Sequence, residues 1–192
     1  MPRVEPADRH AIFSSAPVMR TKRLLEDPTM ASAFSILTFL SILAAALNAG
    51  LFFIFSVCIM AAFTRLSPAE GAAAMNAINA VIQNPWFFSA FFGGALLSLV
   101  LAVLGFLQGG AGGLLAAAGG VVFLLAVIGV TIVFNVPLNE ALAAAPAGSP
   151  EQAALWQRYL GVWTMWNHVR TVGSLAAVGF FALAFRQGVP PG

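Results

Sequence analysis

Ala95-Leu96-Leu97-Ser98-Leu99-Val100-Leu101-Ala102-Val103-Leu104-Gly105-Phe106-Leu107 carries no charge and no alternation of apolar with polar residues. A strand of a membrane barrel shows a period of two, so this run reads as a helix, which satisfies its own backbone in lipid. Extended to Trp86, the run is long enough to cross a hydrocarbon core of about 30 Å, which takes about 20 helical residues. Three other stretches have the same character, at about 33–63, 114–134 and 160–185. The chain is 60% hydrophobic and 8% charged, with a mean hydropathy of +0.90, whereas about a quarter of the residues of a soluble domain are charged. The pattern predicts an all-α, integral membrane four-helix bundle with short amphipathic external helices.

Residues 33–187 form its single domain. Residues 1–32 read as a basic, partly disordered cytoplasmic tail, and 188–192 as a short C-terminal tail. The first 30 residues lack an apolar core followed by a small-residue cleavage site, so no secretory signal is read there. Five of the nine basic residues, Arg3, Arg9, Arg20, Lys22 and Arg23, lie in the tail. Positive-inside placement accounts for them better than nucleic acid does, so no nucleic-acid partner is expected. A multi-pass protein of a bacterial inner membrane follows, with both termini cytoplasmic and the connections 64–85 and 135–158 outside. Cys58 is the only cysteine, which excludes an internal disulfide.

Both external connections carry Ser-Pro helix starts. Ser67-Pro68-Ala69-Glu70 has the residues of a capping box, and Ser149-Pro150-Glu151-Gln152 repeats the signal ahead of the fourth span. The first external helix places Met75, Ile78 and Ile82 on one side and Asn76, Asn79 and Gln83 on the other, and is expected to lie on the interface or roof the bundle. Gly93-Gly94, Gly105, Gly119-Gly120 and Gly129 read as close-packing sites between helices.

The fourth span opens with an unusual set of side chains. On a wheel of about 100° per residue, Trp156, Tyr159, Trp163, Trp166, Asn167, Arg170 and Ser174 share one arc, with His168 at its flank. Val162, Met165, Val169, Val172, Ala176, Phe180 and Leu183 form an opposite apolar stripe that suits lipid. Aromatic and cationic residues also anchor any span at the headgroups. Arg170 lies about three turns past Tyr159, too deep for that role, so Arg170, Asn167 and His168 are read as an inward polar site. Asn135 and Asn139, either side of Pro137, supply amides from the third span. The first span offers an inward seam of Thr38, Ser41, Ala45, Asn48, Phe52 and Phe55, in which Asn48 serves as an interhelical hydrogen bond or as a ligand contact. His10, Cys58 and His168 lie in separate segments without paired spacing, so no metal or haem is expected, and no nucleotide-binding pattern occurs.

Leu47-Asn48-Ala49-Gly50 leading to Phe55-Ser56-Val57, Met75-Asn76-Ala77-Ile78-Asn79 with Asn84-Pro85, Asn135-Val136-Pro137-Leu138-Asn139, and Trp166-Asn167-His168-Val169-Arg170-Thr171 together resemble the anthrone oxygenase-like family of small membrane proteins. The resemblance spans about residues 34–185. It departs at Ala61, where the family pattern has Pro, and at Asn76, where it has Gln. The resemblance implies a four-helix membrane protein, and in a few members an oxygenase that converts an anthrone to an anthraquinone without metal or flavin, with molecular oxygen as co-substrate. For such chemistry His168 is expected as the base, and Arg170 with Asn135, Asn139 or Asn167 as partners of the anion. Trp156, Tyr159, Trp163 and Trp166 would stack on a flat aromatic or quinone-like molecule. The alternative is a non-catalytic membrane protein that binds lipid, quinone or a partner subunit, whether as an oligomer or as an accessory chain.

Overall fold

A computed structural model describes residues 28–188 of the chain; most of the expected N-terminal tail and residues 189–192 lie outside them. Four helices are long and apolar enough to cross a membrane: α1 (Thr29–Phe63), α3 (Pro85–Gln108), α4 (Gly110–Ala144) and α5 (Pro150–Gln187). The short helix α2 (Pro68–Val81) joins α1 to α3. Each span packs on its sequence neighbour, and α5 closes the ring against α1. The result is an up-down-up-down bundle with α2 and the α4–α5 connection at one end, called here the loop end.

The seam foreseen on α1 is buried throughout: Thr38, Ser41, Ala45, Asn48, Phe52 and Phe55 are each at most 6% exposed. The stripe expected to face lipid on α5 is open, with Val172 at 67% and Met165 at 49% exposure. Glycine sets the spacing of α3 and α4. Gly105 and Gly113 face one another so closely that a Cβ on either would meet the other's carbonyl oxygen, and Gly120 lies against the Ser98 carbonyl and Ala102. Membrane helices gain little from burying apolar surface against each other, so such close backbone contact is a main source of their association. The turn between them is a single residue, Gly109, at φ 68°, a left-handed conformation that glycine adopts without steric cost.

Helix length creates the architecture of the loop end. α3 has 24 residues and α4 has 35, so α4 rises about 16 Å higher than its hairpin partner. α3 packs along Gly110–Phe123, touches Leu124–Gly129 lightly, and leaves Val136–Ala144 to α2 and α5. α4 thus runs well past position 134, where hydropathy alone would end it. Two widened π-helical stretches, Leu124–Gly129 and Thr131–Asn135, occur on the way. The second directly precedes Val136-Pro137, where the proline ring would otherwise crowd the carbonyl four residues back. Pro137 is therefore absorbed by a wider turn and the helix continues.

Both Ser-Pro starts cap helices. Ser67 accepts from the Glu70 amide while Glu70 accepts from the Ser67 amide at 3.0 Å. At α5, Ser149 accepts from the Gln152 amide, but Gln152 reaches back to Gly148 rather than to Ser149. The Ser67 hydroxyl, and then its amide, hold the Glu70 carboxyl below its usual value. The box therefore supports α2 above the ordinary carboxylate range and is lost as pH falls through the lowered value.

Overfilling the α3–α4 contact tests this packing. Gly120→Leu is expected to lower the unfolding midpoint in detergent, at a cost of about 1–3 kcal/mol or more. Gly93→Ala, at a position with nothing within 4 Å, is expected to leave the midpoint unchanged or raise it slightly.

Candidate functional site

Two buried clusters meet at the loop end. The upper one combines Met60, Met75, Leu142, Trp156, Tyr159 and Trp163, and the lower one Phe52, Phe91, Phe123, Val127 and Phe181. Between them lies a cavity of about 530 Å³, within the range that holds small organic ligands. α1 supplies Leu51, Phe52 and Phe55, α3 supplies Phe87, Phe88, Phe91 and Phe92, and α5 supplies Trp163 and Arg170. α2 crosses above it. The mouth is a slot between the start of α3 and the overhanging end of α4, since Gln83, Phe88 and Phe92 on one side and Val136 and Glu140 on the other are exposed lining residues.

Arg170 is the centre of this arrangement. Only 6% of it is exposed. Its guanidinium carbon lies 4.3 Å from the centroid of Phe52 and 5.0 Å from that of Trp163, so the cation bridges the two clusters through its faces. One terminal nitrogen donates to Asn167 Oδ1 at 2.8 Å and the other to Thr131 Oγ1 at 3.3 Å. Both acceptors are neutral, and Nε has no partner. A buried cation held only by neutral oxygens and ring faces retains a strong preference for an anion or an electron-rich oxygen.

Asn167 fixes that cation. Its amide nitrogen donates to the Phe52 carbonyl at 2.7 Å and to Ser56 Oγ at 2.8 Å, which leaves its oxygen turned to Arg170. Asn139 is oriented by the opposite logic. Its Oδ1 accepts from Tyr159 at 2.6 Å and from Trp163 Nε1 at 2.8 Å. An indole nitrogen only donates, so the acceptor assignment is fixed and the Asn139 amide N–H groups remain for other partners. Asn139 itself lines the cavity. Behind it, Trp156, Tyr159 and Trp163 stack in series with centroid spacings of 5.6 and 5.5 Å. Trp156 lies directly over Gly71 of α2, where a Cβ would overlap the indole.

The residues singled out from sequence therefore separate into layers. Asn139, Trp163 and Arg170 line the cavity; Trp156, Tyr159 and Asn167 hold them from behind. Asn135 is buried and donates to the Trp163 carbonyl at 3.2 Å, with its own oxygen unpartnered. Asn48 joins α1 to α3 through the Ala90 carbonyl at 3.1 Å, away from the cavity. Trp166 stacks flat on Phe134 at 3.6 Å instead of facing the cavity.

His168 does not join the others. It is exposed, in a shallow apolar groove with Val122, Ala126, Val169, Val172, Gly173 and Ala176. The reason is helical geometry: two residues from Arg170 means about 200° around α5, so the two cannot share a face. The base expected at His168 is thus not in the cavity.

Other lining residues come from α2, read from sequence as an interface or roof helix, and from α4. Met75, Ile78, Ile82, Asn76, Asn79 and Gln83 all line the cavity, although the wheel divides them between two sides. α2 lies across the opening and presents a wide arc to it. Asn76 Oδ1 and Asn79 Nδ2 are buried without partners. On α4, Thr131, Val136, Asn139, Glu140 and Ala143 line the wall. The step of five from Thr131 to Val136 is that of the widened turn, whose period a regular wheel does not contain. Among the described residues no group of three or more His, Cys, Asp or Glu could hold a metal ion.

Residues 85–180, half of the chain, match the family model described as anthrone oxygenase. That segment contains α3, α4 and most of α5, and with them Asn139, Trp163, Asn167 and Arg170. No curated protein and no solved structure matches the chain.

The Asn139 network is open to a stability test. Asn139→Leu leaves the buried donors of Tyr159 and Trp163 without an acceptor, at about 1–3 kcal/mol each. A lower unfolding midpoint and altered Trp fluorescence are expected, whereas His168→Ala should alter neither.

Proposed function

The chain belongs to the anthrone oxygenase family, and on that premise we propose that its cavity takes a flat phenolic substrate of the anthrone type and oxidises it with molecular oxygen, without a bound metal or flavin. The observation that carries this reading is Arg170, a buried guanidinium with neutral partners at the wall of an aromatic cavity. An anthrone has a carbonyl conjugated through its rings to an acidic methylene. Loss of a methylene proton places negative charge on the carbonyl oxygen, and a cation already in position stabilises that charge without reorganising. The electron-rich anion then reacts with oxygen directly. The protein's part is to bind, to stabilise the anion and to exclude water.

Each wall has a task in this scheme. Phe52, Phe55, Phe87, Phe91 and Trp163 give flat apolar faces to a polycyclic ring system. The Arg170 guanidinium faces the oxyanion, and the free Asn139 amide N–H groups, further along α4, meet other polar groups of the substrate. Asn76 and Asn79 of α2, which line the other edge, meet ring hydroxyls there, Asn76 through its Oδ1 because its nitrogen donates to the Leu142 carbonyl. The slot between α3 and α4 lies at the level where α3 begins, so an apolar substrate dissolved in the bilayer enters sideways. With the basic tail on the cytoplasmic side, the slot belongs to the outer leaflet.

The test is purified protein in lipid nanodiscs with an anthrone under oxygen, followed by anthraquinone absorbance. Turnover above the uncatalysed rate is expected. Arg170→Ala should lower kcat about 10²–10³-fold, the range for loss of one oxyanion donor, while Arg170→Lys recovers part of it. His168→Ala should retain full activity. Anthrone binding with no turnover in the wild type would favour a binding protein over an enzyme.

A further inference from the structure

With His168 outside, the cavity still needs a group to remove the methylene proton. We propose that Glu140 is that base. The inference rests on the reading of this cavity as the oxidation site, and its own observation is the position of one carboxylate.

Glu140 and Arg170 are the charged residues that line the cavity, one from α4 and the other from α5; α1, α2 and α3 contribute neutral side chains. Tyr159, a buried titratable group behind Asn139, donates its proton to Asn139. Arg170 uses its hydrogen bonds on Asn167 and Thr131, so the carboxylate and the guanidinium are each open to a ligand. Glu140 is exposed at the slot while Arg170 is buried. That division suits a proton transfer: the base stands at the edge from which water leaves, and the anion forms where water is excluded.

The spacing fits the substrate. Thr131 touches Arg170, and Glu140 follows nine residues later on the same helix, at most about 13 Å along its axis because the widened turn between them shortens the rise. In an anthrone the methylene lies across one ring from the carbonyl, with about 4 Å from the oxygen to that carbon. Contacts of about 3 Å at each end bring the span to about 10 Å, within reach once the two side chains extend toward each other. An isomer with its acidic C–H next to the carbonyl would be too short.

In the proposed sequence the Glu140 carboxylate takes one methylene proton, and the electron pair moves to the carbonyl oxygen beside Arg170. The anion forms a C–O bond to molecular oxygen, and the resulting peroxide is protonated by Glu140. The carboxylate then takes the second proton from the same carbon as the O–O bond breaks; the departing hydroxide leaves as water. The carbon loses four electrons, both oxygen atoms together gain four, and the products are one quinone and one water.

Two measurements on the full chain in nanodiscs test the assignment. In the first, Glu140→Gln should lower kcat about 10²–10⁴-fold, the range for loss of a general base, with little change in KM, and Glu140→Asp should restore part. In the second, without oxygen, the wild type should exchange anthrone methylene protons with deuterated water and Glu140→Gln should not. Exchange and turnover in Glu140→Gln within twofold of the wild type would overturn the base. Exchange that depends on Glu140 without any turnover would support the base and remove the oxygenase reading. A wild type that neither exchanges nor turns over would overturn both.

Discussion

The hydrogen bond from Arg170 to Asn167 is the constraint around which the loop end is arranged. A guanidinium at this depth is tolerated in a membrane protein only if its faces and its N–H groups are occupied. Phe52 and Trp163 take the faces, Asn167 and Thr131 take two of the donors, and three different spans are thereby tied to one side chain. Asn167 adds its own bond to the Phe52 carbonyl, so α1 and α5 are fixed at the level of the cation. Nε is left without a partner in the buried interior, and the Arg170 side chain forms part of the wall of a cavity of ligand size.

That cavity exists because the hairpin of α3 and α4 is unequal. Glycine contacts hold the two helices together at the far end, where Gly105 meets Gly113. α3 then stops at Pro85 while α4 continues to Ala144, and nothing of α3 is left to fill the upper space. α2 roofs it, with Gly71 letting the roof settle onto Trp156. The open side is the slot, and the residues that a chemist would want at a proton-transfer edge, a carboxylate and amides, come from the overhanging part of α4 and from α2.

The family match and the geometry address different questions. The match over residues 85–180 takes in most of the polar wall but leaves out α1, which gives Phe52 and Phe55 to the floor, and α2, which gives the roof. The anionic chemistry suggested by Arg170 is an argument from this chain's own burial and hydrogen bonding, and it stands apart from the family's name.

Much of the fold was legible in the sequence. Four uninterrupted apolar runs require four helices, because lipid offers no other partner for the backbone, and the period of α1 and α5 told which sides face inward. Asn167 and Arg170 were legible as inward for the same reason. His168 was misread because a flank position on a wheel is ambiguous until neighbouring helices define the boundary. Thr131 was missed because a widened turn changes the period of α4, and the width of a turn is decided by Pro137 and its packing together; Glu140, beside Asn139 on the regular turn that follows, was passed over because a carboxylate at a helix end reads as solvated until a cavity wall is seen beside it. The roles of Asn139 and Asn48 are alike in sequence, an amide in an apolar helix. Only the tertiary structure gave one of them an indole and a phenol to accept from, and the other a carbonyl on α3, since hydrogen-bond partners distant in sequence are set by how the helices meet.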